Sequence, residues 1–218
     1  MRFAWTIGIA LGVLGAGCGS KSDPSERNFA KAIEAFLARS DGLCLGIRQW
    51  PVNIPEYAMR KSLFSPGGPP RTLVALESVG LARSEDVDVD SERTGFDLKP
   101  MRVKEKARRY SLTEAARPYV HETPDKRQVL CWGRAVLDKV VKWEGPLKFG
   151  EYQEARVAYH FKIDGQAAWA LKPEIQEAFS SVSAALGAAS RSEQLVQVKL
   201  TNLGWEVYDR VGLPKAWD

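Results

Sequence analysis

Histidine and cysteine are scarce, with 2 His and 3 Cys in 218 residues. A base working near neutral pH has only His121 and His160 to come from, and a disulfide-dense miniprotein is excluded. The chain has no CxxC pair, no Cys/His ladder and no carboxylate-rich loop, so no metal site is expected. It also lacks a Gly-x-Ser-x-Gly elbow, a Ser-x-x-Lys pair and a phosphate-cradling glycine loop. Glu151 and Glu154 carry no spacing that specifies glycosidase work. No apolar run reaches the roughly 20 residues a membrane-spanning helix needs. Neither sign of charge dominates, with Lys+Arg 31 against Asp+Glu 27, and a hydrophobic fraction of 44% excludes a disordered tail. The expectation is a globular chain with no cofactor and no enzymatic role.

What the sequence does have is a distinctive start, MRFAWTIGIALGVLGAGCGS. Arg2 is the only charge before Lys21, and Phe3 to Gly17 are apolar or small apart from Thr6. A positive start, a short apolar run and a small-residue exit are the order that export machinery reads. Leu14-Gly15-Ala16-Gly17-Cys18 resembles the bacterial lipoprotein signal, with Gly15 departing from the usual Leu. The resemblance implies that residues 1–17 are removed and that Cys18 is lipidated and becomes the mature N-terminus. Gly19 then favours outer-membrane sorting, facing the periplasm. The alternatives are a plain secretory peptide cut near Gly17, or a cytoplasmic protein with an odd N-terminus. Losing Arg2 lowers the formal charge only from +4 to +3, which specifies no partner.

Cys44 and Cys131 remain, 87 positions apart. In an oxidising compartment they form a natural pair. Closing so long a loop contributes about 4–5 kcal/mol in the chain-entropy account. The alternative is two separate buried thiols.

Residues 18–22 read as a polar tether. Asp23-Pro24-Ser25-Glu26 reads as a helix start with Asp23 at the N-cap, followed by Phe29, Ile33, Phe36 and Leu37 at helical spacing. Asp41-Gly42 ends that helix, and Leu43 to Ile47 reads as a strand carrying Cys44, broken by Pro51 and Pro55. Ser65 to Pro70 is a turn-rich loop, and a second helix covers about residues 70–79.

Residues 73–120 resemble a winged helix-turn-helix. The resemblance rests on Leu73-Val-Ala-Leu76-Glu-Ser-Val-Gly80-Leu81 and on Tyr110-Ser-Leu112-Thr113-Glu-Ala-Ala116-Arg117. Ala116 stands where Gly is usual, and Thr113 is a sensible N-cap. Between them lie an acidic arm (Glu85, Asp86, Asp88, Asp90, Glu92) and a basic arm (Lys99, Arg102, Lys104, Lys106, Arg108, Arg109). Such modules bind DNA in the cytoplasm; an exported protein meets no chromosome, so no nucleic-acid partner is expected.

Val129 to Trp132 is strand-like. Residues 135–143 fit a strand or a helical face, with the valines and Trp143 favouring the strand and Gly145-Pro146 ending it. In residues 155–163, Ala155, Val157, Tyr159, Phe161 and Ile163 alternate with Arg156, Ala158, His160 and Lys162, one face buried and one wet. Pro173 to Phe179 is a short helix and Ser180 to Ser192 a connector or weak helix. Leu195–Leu200 and Trp205–Tyr208 are final strands. Trp132, Trp143, Tyr159, Trp169 and Trp205 either fill a core or line an aromatic concavity for a peptide, lipid or glycan.

The phrases Tyr110-Ser-Leu112-Thr113, Cys131-Trp132-Gly133-Arg134, Val140-Val141-Lys142-Trp143, Val157-Ala-Tyr159, Trp169-Ala170 and Leu203-Gly204-Trp205 resemble those of uncharacterised proteobacterial envelope lipoproteins. That family brings no known activity with it. The expected fold class is α+β: a winged-helix-like unit (residues 23–125) packed with a twisted antiparallel sheet (residues 126–218). The expected role is a membrane-anchored, non-enzymatic binding or structural component whose partner is an envelope protein, peptide or glycan. The alternatives are a DNA-binding regulator with a misread N-terminus, and an envelope hydrolase with unidentified residues.

Overall fold

The computed structural model describes residues 20–40, 42–47, 49–62, 69–94 and 100–211. The fold is α+β, with antiparallel sheets and several helices. Asp41, the loop residues 65–68, Lys99, Trp217 and Cys18 lie outside the described residues.

Helix α1 runs Glu26–Ala38. Phe29, Ile33 and Leu37 recur at four-residue spacing and are buried. Full burial of side chains of this size stabilises by about 1.5–3 kcal/mol each. The N-cap is Ser25, not Asp23: the Ser25 hydroxyl accepts the Asn28 N–H. Asp23 is engaged one turn earlier, its carboxylate accepting the Ser20 N–H at 2.7 Å. The helix stops at Ala38, before the expected Asp41-Gly42.

Leu43–Ile47 forms no regular strand. Cys44 makes an isolated antiparallel bridge to Cys131, and Leu43 and Leu45 exchange backbone hydrogen bonds with Gly133, Leu130 and Trp132. Gly133 has no room for a side chain, since a Cβ there would stand 2.7 Å from the Ile163 Cγ2.

Strand β1 (Val52–Pro55) and helices α2 (Glu56–Ser62) and α3 (Pro69–Ser78) lead into a long hairpin, β2 (Ala82–Thr94) and β3 (Pro100–Leu112). The sheet order is β1-β3-β2, and β1 covers β3 only from Ala107 to Tyr110. Farther out the hairpin is a two-stranded ribbon. Ile54, Leu73 and Tyr110 form a small core beneath it. Thr113 occupies the N-cap position of a 3-10 turn, Glu114–Tyr119, without capping it. Its hydroxyl instead donates to the Gly80 carbonyl at 2.6 Å, tying the turn to the end of α3.

A short pair, β4 (Val120–Glu122) and β5 (Gln128–Leu130), precedes a four-stranded antiparallel meander. Its strands are β6 (Arg134–Phe149), β7 (Tyr152–Asp164), β8 (Gln194–Thr201) and β9 (Gly204–Val211). Residues 135–143 are strand. Gly145-Pro146 does not end β6: a register shift between Glu144 and Leu147 absorbs the proline, and pairing resumes to Phe149 opposite Tyr152. A 3-10 turn (Ala168–Leu171), α4 (Pro173–Ala178) and α5 (Ser180–Ala188) connect β7 to β8.

The alternation in β7 runs as the sequence implies on its apolar face, but Ala158 is buried on the other. Its register neighbours are Lys142 and Leu195, and the stems of larger side chains on either side cover a methyl group. His160 is half-buried rather than wet.

One core joins both expected parts. It runs from Phe29 and Ile33 through Leu76, Leu130 and Trp132 to Val157, Val196 and Trp205. Helix α1 packs on β6 and β9, and α3 on α4, so the division at residue 125, which falls in the β4–β5 turn, does not separate two independent cores.

Candidate functional site

Cys44 and Cys131 are joined by a disulfide. It is set in a run of backbone hydrogen bonds, including Leu45 N–H to the Leu130 carbonyl and Trp132 N–H to the Leu43 carbonyl, both at 2.8 Å. The segment after α1 is thereby stitched to the segment entering β6, and Cys131 N–H donates to the Tyr119 carbonyl from the other side.

Of the five aromatic residues that read as either core or binding surface, four are core. Trp132, Tyr159, Trp169 and Trp205 are buried. Trp169 meets Tyr119 edge-on at 5.7 Å. Phe29 packs edge-on between Trp143 at 5.5 Å and Trp205 at 5.1 Å. Of the five, only Trp143 is exposed, at 38%. Large apolar rings go to the core by area.

The charged arms of the hairpin face one another. Glu85, Asp86, Asp88, Asp90 and Glu92 stand opposite Arg109, Arg108, Lys106, Lys104 and Arg102 respectively. Asp86 and Arg108 are in ion-pair contact at 3.4 Å, and that hydrogen bond holds the Arg108 guanidinium still more firmly protonated. Opposite charges across an antiparallel pair are the favourable arrangement, and they leave β3 without an unopposed basic stripe. Burial pushes the neighbouring Tyr110 phenol up from its ordinary range.

The outer face of the meander carries a hydrogen-bonded group that sequence reading missed. The Tyr208 hydroxyl lies 2.7 Å from both Glu154 Oε2 and Gln197 Oε1, and the Tyr152 hydroxyl donates to the same Glu154 oxygen at 3.1 Å. The hydrogen bond to Glu154 raises the Tyr208 phenol above its ordinary value. Lys199 stands 5.9 Å above the Tyr208 ring. A phenol held protonated beside a half-buried carboxylate is suited to hydrogen bonding, not to nucleophilic work. The register of β7, β8 and β9 is the signal that brings these residues together.

The first described residues are tied to the β8–β9 turn. Lys21 Nζ donates to the Asn202 carbonyl at 2.5 Å, and the Trp205 indole N–H lies 3.2 Å from the carbonyls of Ser22 and Asp23. The expected tether is thus docked on the sheet from Ser20 onward.

His121 is exposed on β4, in a different sheet from the Tyr208 group. Among the described residues, no three His, Cys, Asp or Glu side chains gather into a metal-binding cluster, and no helix is long and apolar enough to cross a membrane. Comparison with family models, curated proteins and solved structures finds no match to this chain.

Proposed function

We propose that this chain is an envelope lipoprotein, acylated at Cys18 and held at the periplasmic face of the outer membrane, with a non-enzymatic binding or structural role. The observation that carries the reading is the Cys44–Cys131 disulfide. Structural disulfides persist in oxidising compartments and are rare in the cytosol. The export-like start and the Leu14-Gly15-Ala16-Gly17-Cys18 phrase support the same compartment independently. Two or three acyl chains meet the requirement for stable anchoring that one chain does not.

The helix pair α2–α3 leading directly into the β2–β3 hairpin supports the winged-helix resemblance. A DNA-reading role gains little from it. Among the described residues of α3, Arg71 is the lone cation; the helix packs on α4, and the cations of β3 are matched by carboxylates of β2. Affinity for a phosphate backbone needs uncompensated cations. The helix–hairpin unit therefore serves as a scaffold in this reading.

The test is incorporation of radiolabelled fatty acid in a Gram-negative host, with mass analysis of the N-terminus. Label on the wild type and none on Cys18→Ser is the expected result. An unprocessed, acyl-free start overturns the proposal.

A further inference from the structure

Antiparallel register fixes which turns share an end of the meander. Glu154 pairs with Lys199, Phe149 with Tyr152, and Thr201 with Gly204. The β6–β7 turn and the β8–β9 turn therefore lie at the same end of the sheet, their midlines about 10 Å apart at two strand spacings. Four large apolar side chains stand out at this end: Leu147 (58% exposed), Phe149 (67%) and Tyr152 (42%) on one turn, and Leu203 (77%) on the other. Soluble surfaces carry isolated exposed leucines without consequence; two adjoining turns tipped with leucine and aromatic rings are a different arrangement.

Ser20 reaches this same end. Lys21 is bonded to Asn202 in the β8–β9 turn, and the Lys21 carbonyl is within 3.5 Å of where a Cβ on Gly204 would lie. Cys18 is two residues before Ser20, a chain reach of about 7 Å at most. We infer that the β6–β7 and β8–β9 turns seat in the phospholipid headgroup region, with Leu147, Phe149, Tyr152 and Leu203 as the interfacial contacts. The inference rests on the reading of Cys18 as the lipidated residue.

A lipid there leaves these turns no room to stand clear of the bilayer. Aromatic rings with a polar tip, such as Tyr152, favour that depth, and Lys148 and Lys21 can keep their ammonium groups among the headgroups while their stems lie alongside. The sheet would then stand on the membrane by this edge. Its opposite end, where β7 runs out towards Trp169 and α4 begins, would face away and be free for an envelope partner.

The test uses the full chain, processed in a Gram-negative host and reconstituted in phosphatidylethanolamine–phosphatidylglycerol vesicles. With Cys44 and Cys131 in a disulfide and Cys18 acylated, Glu151→Cys supplies a single reactive thiol at the β6–β7 turn. Lys172→Cys supplies one at the opposite end. Each is labelled with an environment-sensitive nitrobenzoxadiazole fluorophore, and mass analysis establishes acylation in the same sample. The expected result is a blue shift at position 151 and loss of its emission in vesicles containing nitroxide-labelled lipid, with neither at position 172. Leu147→Ser, Phe149→Ser and Leu203→Ser together should abolish both signals at 151 while the protein still floats with the vesicles.

An acylated, vesicle-bound protein whose position-151 label stays aqueous overturns the inference and leaves the lipoprotein reading standing. A shielded label that lipid nitroxides do not quench also overturns it, because a protein partner or a second copy then covers the turn. Absence of acyl mass overturns both readings.

Discussion

The β2–β3 hairpin and the β6–β9 meander solve one problem in two ways. Each contains a long antiparallel pair, with β2, β3 and β7 all 13 residues long. In the meander the register follows from burial: Val157, Tyr159 and Phe161 on β7 and Val196 and Val198 on β8 are in the core beneath α1, and a one-residue slip would turn every one of them to water. The outer hairpin has no third strand to bury it. There the register is written in charge. A slip of one residue in either direction abolishes most acid–base pairings and sets Glu105 against Asp88 or Asp90, and like charges directly opposite are destabilising. Burial gives stability and register together, while cross-strand charge gives register with little stability.

The sharpest way to break that comparison is to remove the meander's apolar anchor. Phe29 is fully buried and touches both Trp143 and Trp205. Phe29→Ala is expected to cost about 3–5 kcal/mol, read as a fall in the urea midpoint, and to quench or shift the emission of both tryptophans. A loss below about 0.5 kcal/mol, the size of an ordinary surface change, would mean that α1 is not what holds the sheet.

Next in size is the disulfide, which ties the segment after α1 to the segment entering β6. Replacing Cys44 and Cys131 by serine together is expected to cost about 2–5 kcal/mol. Reductant should lower the wild type to the same midpoint and leave the double variant unmoved. If reductant has no effect on the wild type, the bridge is not closing the loop in solution.

The third perturbation addresses the charged arms. Lys106 stands opposite Asp88 on the ribbon, and Lys106→Asp should cost about 0.2–1 kcal/mol, the range of an exposed pair. The cost should shrink with added salt. Pairing it with Asp88→Lys should restore most of it. Failure of the double swap to recover would mean that the hairpin is held by its apolar residues, as the meander is.

Much of this contrast is legible in the residues alone. Phe29, Ile33 and Leu37 have the helical period, and residues 155–163 have the alternating one. The charged arms and their sequence order foreshadow a hairpin. Prolines mislead more than any other residue. Pro51 and Pro55 read as breakers, yet β1 is a four-residue edge strand, where a missing N–H is tolerated. Pro146 reads as a strand end, yet a bulge carries β6 past it. That second misreading hides Leu147 and Phe149, two of the most exposed side chains on the sheet's edge. The Tyr152–Glu154–Tyr208 group is invisible for another reason, since it depends on register across three strands and no local pattern encodes it. The tryptophans read either as core or as a concavity, because composition counts rings without saying which face they occupy.

The smallest expected effect lies in the turn between β4 and β5, where the two regions meet. The Asp125 carboxylate accepts the Thr123 hydroxyl at 2.5 Å and pairs with Arg127. The Thr123 hydrogen bond is the main cause holding Asp125 below the usual carboxylate range. A carboxyl whose folded pKa is depressed contributes its stabilisation above its unfolded pKa and loses it as the pH falls through the folded value. The turn should therefore be unaffected at neutral pH and loosen only in acid, below the ordinary aspartate range. In NMR titrations, the Thr123 and Arg127 amide shifts should follow the Asp125 carboxyl with a midpoint below that of a model aspartate, while Phe29 and Val157 do not respond. Asp125→Asn should remove the transition without lowering the urea midpoint of the meander. A matching acid transition at Phe29 would show that the turn and the main core unfold as one unit, and that the contrast between charge-held and burial-held structure does not extend to this junction.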